Sequence, residues 1–440
     1  MKRIKLTAFL LFMFISNTFL TAQGNITNDI QKMQWFIDAK LGIFIHWGIY
    51  AVNGIDESWS FYNGYISYQD YLKQLEGFTA DEYDPDKWAK IIKQSGAKYA
   101  VLTSKHHDGV ALWPTKLSDL NVVEKTPAGR DLIGPFCRAL RKQEIKVGLY
   151  FSHLDWSHPD YPHFTGSQKR YDINHEPKRW ADFVEFRNGQ IEELALNYHP
   201  DLFWFDGDWD FSAEEWKAKE LREMILSNLP DAIINSRLNG YGDYATPEQG
   251  VPVVRPQDRF WELCMTMNDS WGYQGNDLNY KTPNQIIRIF IDCISRGGNL
   301  LLDIGPMANG IIPKEQLIIL EKMGNWVHKH AEAIYGTSAG IPYDHFSGPT
   351  TLSKDQKNLF LFLDHKPIGP VVLKGIKNKV NRIRVVGNGI KLSWKIMGKQ
   401  YWSENPGLLY IDIPDYALDD QVTVIALQLD EPIELFRENQ

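Results

Sequence analysis

The stretch Leu202-Phe203-Trp204-Phe205-Asp206-Gly207-Asp208-Trp209-Asp210 decides how this chain is read. Its first four residues are apolar or aromatic, the pattern of a buried strand. They run directly into a carboxylate and a glycine. A charge at the end of such a strand is costly unless it is paired or used. In an α/β barrel the C-terminal ends of the strands hold the catalytic residues, which makes Asp206 the candidate nucleophile. Asp208 and Asp210 come after the glycine and fall on the loop. An acidic turn that merely closes a strand is the competing reading.

Outward from that strand the same arrangement recurs. Residues 41–49 (LGIFIHWGI) read as a strand with His46 and Trp47 near its end, followed by Glu57-Ser58-Trp59 in a loop. A helix opened by Asp84-Pro85 and closed near Gly96 leads to a strand over 98–104 and then to Lys105-His106-His107-Asp108-Gly109. A helix over 131–144 leads to a strand over 145–151, then Ser152-His153-Leu154-Asp155-Trp156. Helices over 180–198 and 214–229 flank the Asp206 strand, and a strand over 232–235 ends in Ser236 and Arg237. Strand, polar cluster and helix in repeated alternation predict a parallel sheet with helical crossovers. Polar residues after several different strands favour a barrel over a doubly wound sheet. No GxGxxG follows a strand and no GxxxxGK[ST] occurs, so nucleotide binding has no motif support.

The histidines have a bland reading beside the functional one. A histidine at a strand end, such as His46, is often structural. Side chains at adjacent positions of extended chain point apart, so His106 and His107 are not expected to share a metal. Hydrogen bonding to a polyhydroxylated ligand fits them better.

From Gly242 to Tyr273 the chain is loop-like and contains two notable carboxylates, Glu248 and Glu262. Helices over 285–296 and 313–335 surround a last buried strand in 297–306. After about residue 340 the helical period gives way to short β-rich runs separated by Gly, Pro, Asn and Asp. The expected organisation is a (β/α)8-like (TIM-type) barrel over 28–340 and a C-terminal β-sandwich over 341–440.

Bulk properties bound the function. With 440 residues and 43% hydrophobic content a sizeable core is available. The 15 Trp and 20 Tyr offer apolar faces with polar edges, which suits sugar rings. A net charge of −8 argues against a nucleic-acid partner. Cys137, Cys264 and Cys293 are too few for a disulfide framework, and none lies in a CxxC. Residues 1–22 combine a basic start (Lys2, Arg3, Lys5), an apolar run and Ala22 before Gln23. That is a secretory signal peptide, and its apolar run is shorter than the roughly 20 residues of a membrane span. The mature protein is therefore expected outside the cytoplasm, periplasmic or extracellular, and free of the membrane.

Two carboxylates flanking a glycosidic bond are the working parts of a glycosidase. One attacks the anomeric carbon while the other protonates the leaving oxygen and later deprotonates water. The segments GIFIHWG, the Trp following Glu57, KHHDG, GLYFSHLDW, WFDG, WELCMTMNDSWGY and GGNLLLDIGP resemble, in order, the α-L-fucosidases of glycoside hydrolase family 29. The resemblance runs from about Met33 to Gly336. It implies a retaining exo-hydrolase acting on glycans with terminal α-L-fucose, on a barrel with a C-terminal β-sandwich, with no metal and no organic cofactor. It places the nucleophile on Asp206, the Trp before it on Trp204, and fucose-binding histidines on His46, His106 and His107. It also places an arginine on Arg237, an aromatic near the fucose methyl on Trp271, and a tyrosine on Tyr150, with Phe151 nearly as good a match. The family often has Glu directly followed by Trp where this chain has Glu57-Ser58-Trp59, so Glu57 and Trp59 match with a departure.

The family varies at the acid/base. Glu248 is preferred because its Gly- and Pro-bearing loop can lean over the cleft. Glu262, between Trp261 and Leu263, is either an ion-paired structural carboxylate or a buried acid with a raised pKa. Two other classes stay open. A glycosidase such as an α-galactosidase would line the pocket with polar groups where fucose has a methyl. A non-catalytic carbohydrate-binding protein would not need Asp206 and both glutamates.

Overall fold

The computed structural model describes residues 30–436; the signal peptide expected over 1–22 lies outside them. Seven strands make one parallel sheet: β1 (Leu41–Ile45), β2 (Tyr99–Lys105), β3 (Lys146–Ser152), β4 (Leu202–Asp206), β5 (Ile233–Ile234), β6 (Glu262–Thr266) and β7 (Asn299–Ile304). Their order is β5-β4-β3-β2-β1-β7-β6. Every residue of β1, β2, β4, β6 and β7 is buried, which explains their unbroken apolar runs.

Helices cover the outside: α1 (30–39), α2 (Pro85–Gln94), α3 (Ile133–Lys142), α4 (Pro177–Tyr198), α5 (Ala218–Asn228), α6 (Pro283–Ser295) and α7 (Lys314–Lys329). Their ends follow local chemistry. The Asp84 carboxylate accepts from the Lys87 amide at 3.0 Å, and Pro85 occupies the first turn of α2. Thr282 and Gln285 form a capping box at the start of α6. That helix buries Ile286, Ile287, Phe290, Ile291 and Ile294, each worth about 1.5–3 kcal/mol relative to exposure.

The gap between β5 and β6 holds no helix and no regular strand. The ring closes there through isolated parallel bridges, Tyr244 with Asn235 and Ala245 with Trp261. The Asp243 amide donates to the Ile234 carbonyl at 2.6 Å, and the Glu262 amide donates to the Ala245 carbonyl at 2.9 Å. Pro247 lacks an amide proton and Gly242 and Gly250 flank the segment, so no ladder extends along it. This closing segment brings Glu248 beside Cys264 of β6. The eight positions therefore run round the barrel in chain order.

The C-terminal region contains two antiparallel sheets. One has the order β8 (Ser338–Ala339), β9 (Thr350–Leu352), β10 (Asn358–Leu363), β15 (Thr423–Leu429), β12 (Val380–Val385). The other has the order β11 (Val371–Lys374), β14 (Leu408–Asp412), β13 (Ser393–Met397). Alternation divides the buried residues of β10 and β15 between two cores. Leu359, Leu361, Ile425 and Leu427 pack inside the sandwich. Phe360, Phe362, Val424 and Ala426 pack with the barrel, where Trp326 Nε1 donates to the Val422 carbonyl at 2.8 Å. The three cysteines are free and buried. Among the described residues no helix is long and apolar enough to cross a membrane.

Candidate active site

Asp206 is the last residue of β4, and its side chain is buried at the C-terminal end of the barrel. Gly207 then turns the chain with φ 83°, where a Cβ would also collide with Leu154. Tyr150 Oη donates to Asp206 Oδ2 at 2.9 Å. Tyr150 sits opposite Trp204 in the β3–β4 register and its ring stacks on that indole. Phe151 packs on the other side of β3, with Lys105 Nζ 4.5 Å from its ring. Tyr150 lines the pocket and Phe151 does not.

Arg237 joins two carboxylates. Its Nη1 donates to Asp206 Oδ1 at 2.5 Å and its Nη2 to Glu248 Oε2 at 2.6 Å. The guanidinium lies 4.6 Å from the Trp204 ring. Burial opposes the charge on Arg237, but Asp206 and Glu248 outweigh it and raise its pKa. Asp206 is enclosed, whereas Glu248 reaches the rim with an exposed side chain.

His46, His106 and His107 line the same pocket. The expectation that His106 and His107 point apart does not hold: their ring centroids lie 4.2 Å apart. Strand β2 ends at Lys105, so the period-two alternation stops before them. Each histidine uses Nδ1 on the protein: His46 with Asp303 Oδ1 at 2.8 Å, His106 with Ser58 Oγ at 2.6 Å, His107 with Ser152 Oγ at 2.5 Å. Nε2 is then the nitrogen each presents to the pocket, and that of His107 stands 3.6 Å from Asp206 Oδ2. Burial holds all three well below the usual imidazole range, so they are neutral. Burial also pushes Asp303 up, with help from Glu57.

Glu57 and Trp59 both line the pocket, and the intervening Ser58 turns to His106. Glu57 Oε1 accepts from the Gly272 amide, next to Trp271. Burial pushes Glu57 up to about 7. Trp271 packs 4.9 Å from the His46 ring, centroid to centroid.

Glu262 is not among the lining residues. It opens β6, opposite Asn299 at the start of β7, and is fully enclosed in the barrel. Tyr99 Oη donates to its Oε2, and Trp204 Nε1 donates to its Oε1 at 3.1 Å. Of the two readings left open for it, the ion pair is not formed among the described residues; neutral donors hold this carboxylate. Burial pushes it up to about 7.

Sequence reasoning missed two lining residues, Phe44 and Trp209. Phe44 lies two positions before His46 and shares its strand face, a signal that was present. It also missed the residues that aim the histidines: Asp303, Ser58 and Ser152. Asp303 is the next-to-last residue of a buried strand, close to where Asp206 ends its own, and the same argument would have found it. No group of three or more His, Cys, Asp or Glu among the described residues is placed to hold a metal ion.

Known proteins share this architecture. A family model described as "Alpha-L-fucosidase" matches residues 16–332. Human tissue alpha-L-fucosidase is 30% identical over 415 residues, covering 86% of this chain and 84% of that protein. Alpha-L-fucosidase isoenzyme 1 from Paenibacillus thiaminolyticus superposes with a TM-score of 0.83 at 35% identity, covering 92% of this chain and 100% of that one. A GH29 alpha-L-fucosidase from Bacteroides thetaiotaomicron, solved as a trapped covalent intermediate with 2-fluoro-fucosyl fluoride, superposes at 0.81 with 28% identity, covering 91% and 96%.

Proposed function

The chain belongs to the alpha-L-fucosidase family, and on that premise we propose that it is a retaining exo-hydrolase with Asp206 as nucleophile and Glu248 as acid/base. The observation that carries this reading is the shared guanidinium: Arg237 ties the enclosed Asp206 to the rim carboxylate of Glu248. A retaining pair sits about 5–5.5 Å apart, and bridging by one fork favours that short separation. The trapped covalent intermediate of the Bacteroides relative supports the double displacement.

Terminal α-L-fucose enters with its anomeric carbon toward Asp206. The neutral histidines present Nε2 to the sugar hydroxyls, and Arg237 and Tyr150 hold Asp206 in place. Phe44, Trp204 and Trp271 supply an apolar wall, which suits a methyl at C6 better than a hydroxymethyl. Asp206 displaces the leaving group as Glu248 protonates it. Glu248 then takes a proton from water, which releases fucose with its configuration retained. For the first step Glu248 must leave Arg237 and hold a proton. Residues 1–22 direct export, and N-terminal sequencing of the secreted protein should begin near Gln23.

The test is the stereochemistry of turnover. Proton NMR of α-fucoside hydrolysis is expected to show α-L-fucose as the first product. β-L-Fucose appearing first would mean inversion and reject the assignment of Asp206 as a nucleophile.

A further inference from the structure

We infer that Trp209 is the platform on which the leaving-group sugar stacks, a subsite for a hexopyranose next to the fucose. This rests on the reading of Asp206 and Glu248 as the catalytic pair. Of the residues lining the pocket, only Trp209 and Glu248 are exposed. Glu248 gives its proton to the departing oxygen, so the departing sugar must pass at that rim. Trp209, 53% exposed, is the open aromatic surface there.

The turn that presents it is fixed on both sides. The Asp208 carbonyl accepts from Trp216 Nε1 at 3.1 Å and from Asn239 Nδ2 at 3.0 Å, and Asp208 Oδ2 accepts from the Asn239 amide at 2.9 Å. Asp210 Oδ2 accepts from Tyr161 Oη at 2.6 Å and pairs with His163 Nδ1 at 2.8 Å. Between these anchors the indole meets the edge of the His107 ring, at 6.1 Å and 80° between rings. A large apolar ring presented to water beside a pocket that takes a polyol stays hydrated until a sugar covers it. The apolar C–H face of a pyranose is the surface it complements.

Two substrates separate this role from a structural one. α-L-Fucosyl fluoride has a leaving group too small to reach Trp209, whereas an α-L-fucosyl-hexose disaccharide reaches it. Trp209→Ala is expected to lower the ratio of kcat/KM for the disaccharide over the fluoride by about tenfold or more. Trp209→Phe should keep most of that ratio. Inhibition by free fucose should weaken far less than that ratio falls. Equal losses on both substrates, or an unchanged ratio, would overturn the inference. If the unsubstituted protein turns over neither substrate, the underlying catalytic reading fails and this one with it.

Discussion

Two carboxylates share one indole in this barrel. Below Trp204, Glu262 accepts the Nε1 proton and is closed in by Tyr99. Above it, Arg237 lies on the ring face and holds Asp206 toward the pocket. Burial pushes the lower group up; the upper one has a cation, an open side and a second carboxylate within reach. Perturbation by burial therefore marks enclosure rather than reactivity in this molecule. Glu57 and Asp303 repeat the lesson, since burial raises both and each hydrogen-bonds a neighbour that shapes the pocket. Geometry is the ground on which Asp206 and Glu248 are proposed as the catalytic pair.

Asp206→Ala gives the largest expected effect. Turnover should fall on the order of 10⁴-fold or more on every fucoside while circular dichroism stays native. Glu248→Ala should cost roughly 10²–10⁴-fold on natural fucosides. Activated aryl fucosides should lose far less, and azide should restore their turnover by forming fucosyl azide. The contrast with the lower carboxylate is direct: Glu262→Ala should not respond to azide. It should lose stability instead, because Tyr99 and Trp204 are left without an acceptor at about 1–3 kcal/mol each. Denaturant titration would measure this, and Glu262→Gln, which keeps one oxygen, should lose less. Azide rescue of Glu262→Ala and not of Glu248→Ala would exchange the two roles.

A smaller effect follows from pH. Glu57 and Glu262 are pushed up to about 7 and Asp108 to about 6, in each case mainly by burial. Unfolded, such groups titrate near about 4. The native state therefore binds their protons more tightly. The stability they contribute is complete below about pH 4 and is lost as pH rises through about 7. Glu262→Gln should flatten part of that decline in melting temperature, and an unflattened curve would contradict the assignment. Exhaustive chelation should have no effect on activity. Activity abolished by chelation and restored by zinc would mean that the histidines had been misread.

Much of this was legible in the chain. Apolar runs ending in polar residues located the strand ends, because a buried strand must discharge its polar groups where it meets solvent. Asp206, Arg237 and the three histidines come together there as the alternation implied, and Glu248 joins them from its loop. The closing segment at Tyr244 and Ala245 was not legible, since single bridges leave no periodicity. Trp209 was hidden for a different reason. An aromatic residue in a turn looks the same in sequence whether it packs inward or faces water. The enclosure of Glu262 depends on Tyr99, 163 positions away, and no local pattern encodes such a contact.

The account's central claim is that Asp206 bonds covalently to fucose. Incubation with 2-fluoro-fucosyl fluoride, followed by proteolysis and mass spectrometry, measures this directly. The fluorofucosyl mass is expected on the peptide containing Asp206, and fragmentation should place it on that carboxylate. Label on Glu248, Glu262 or any other residue would contradict the claim.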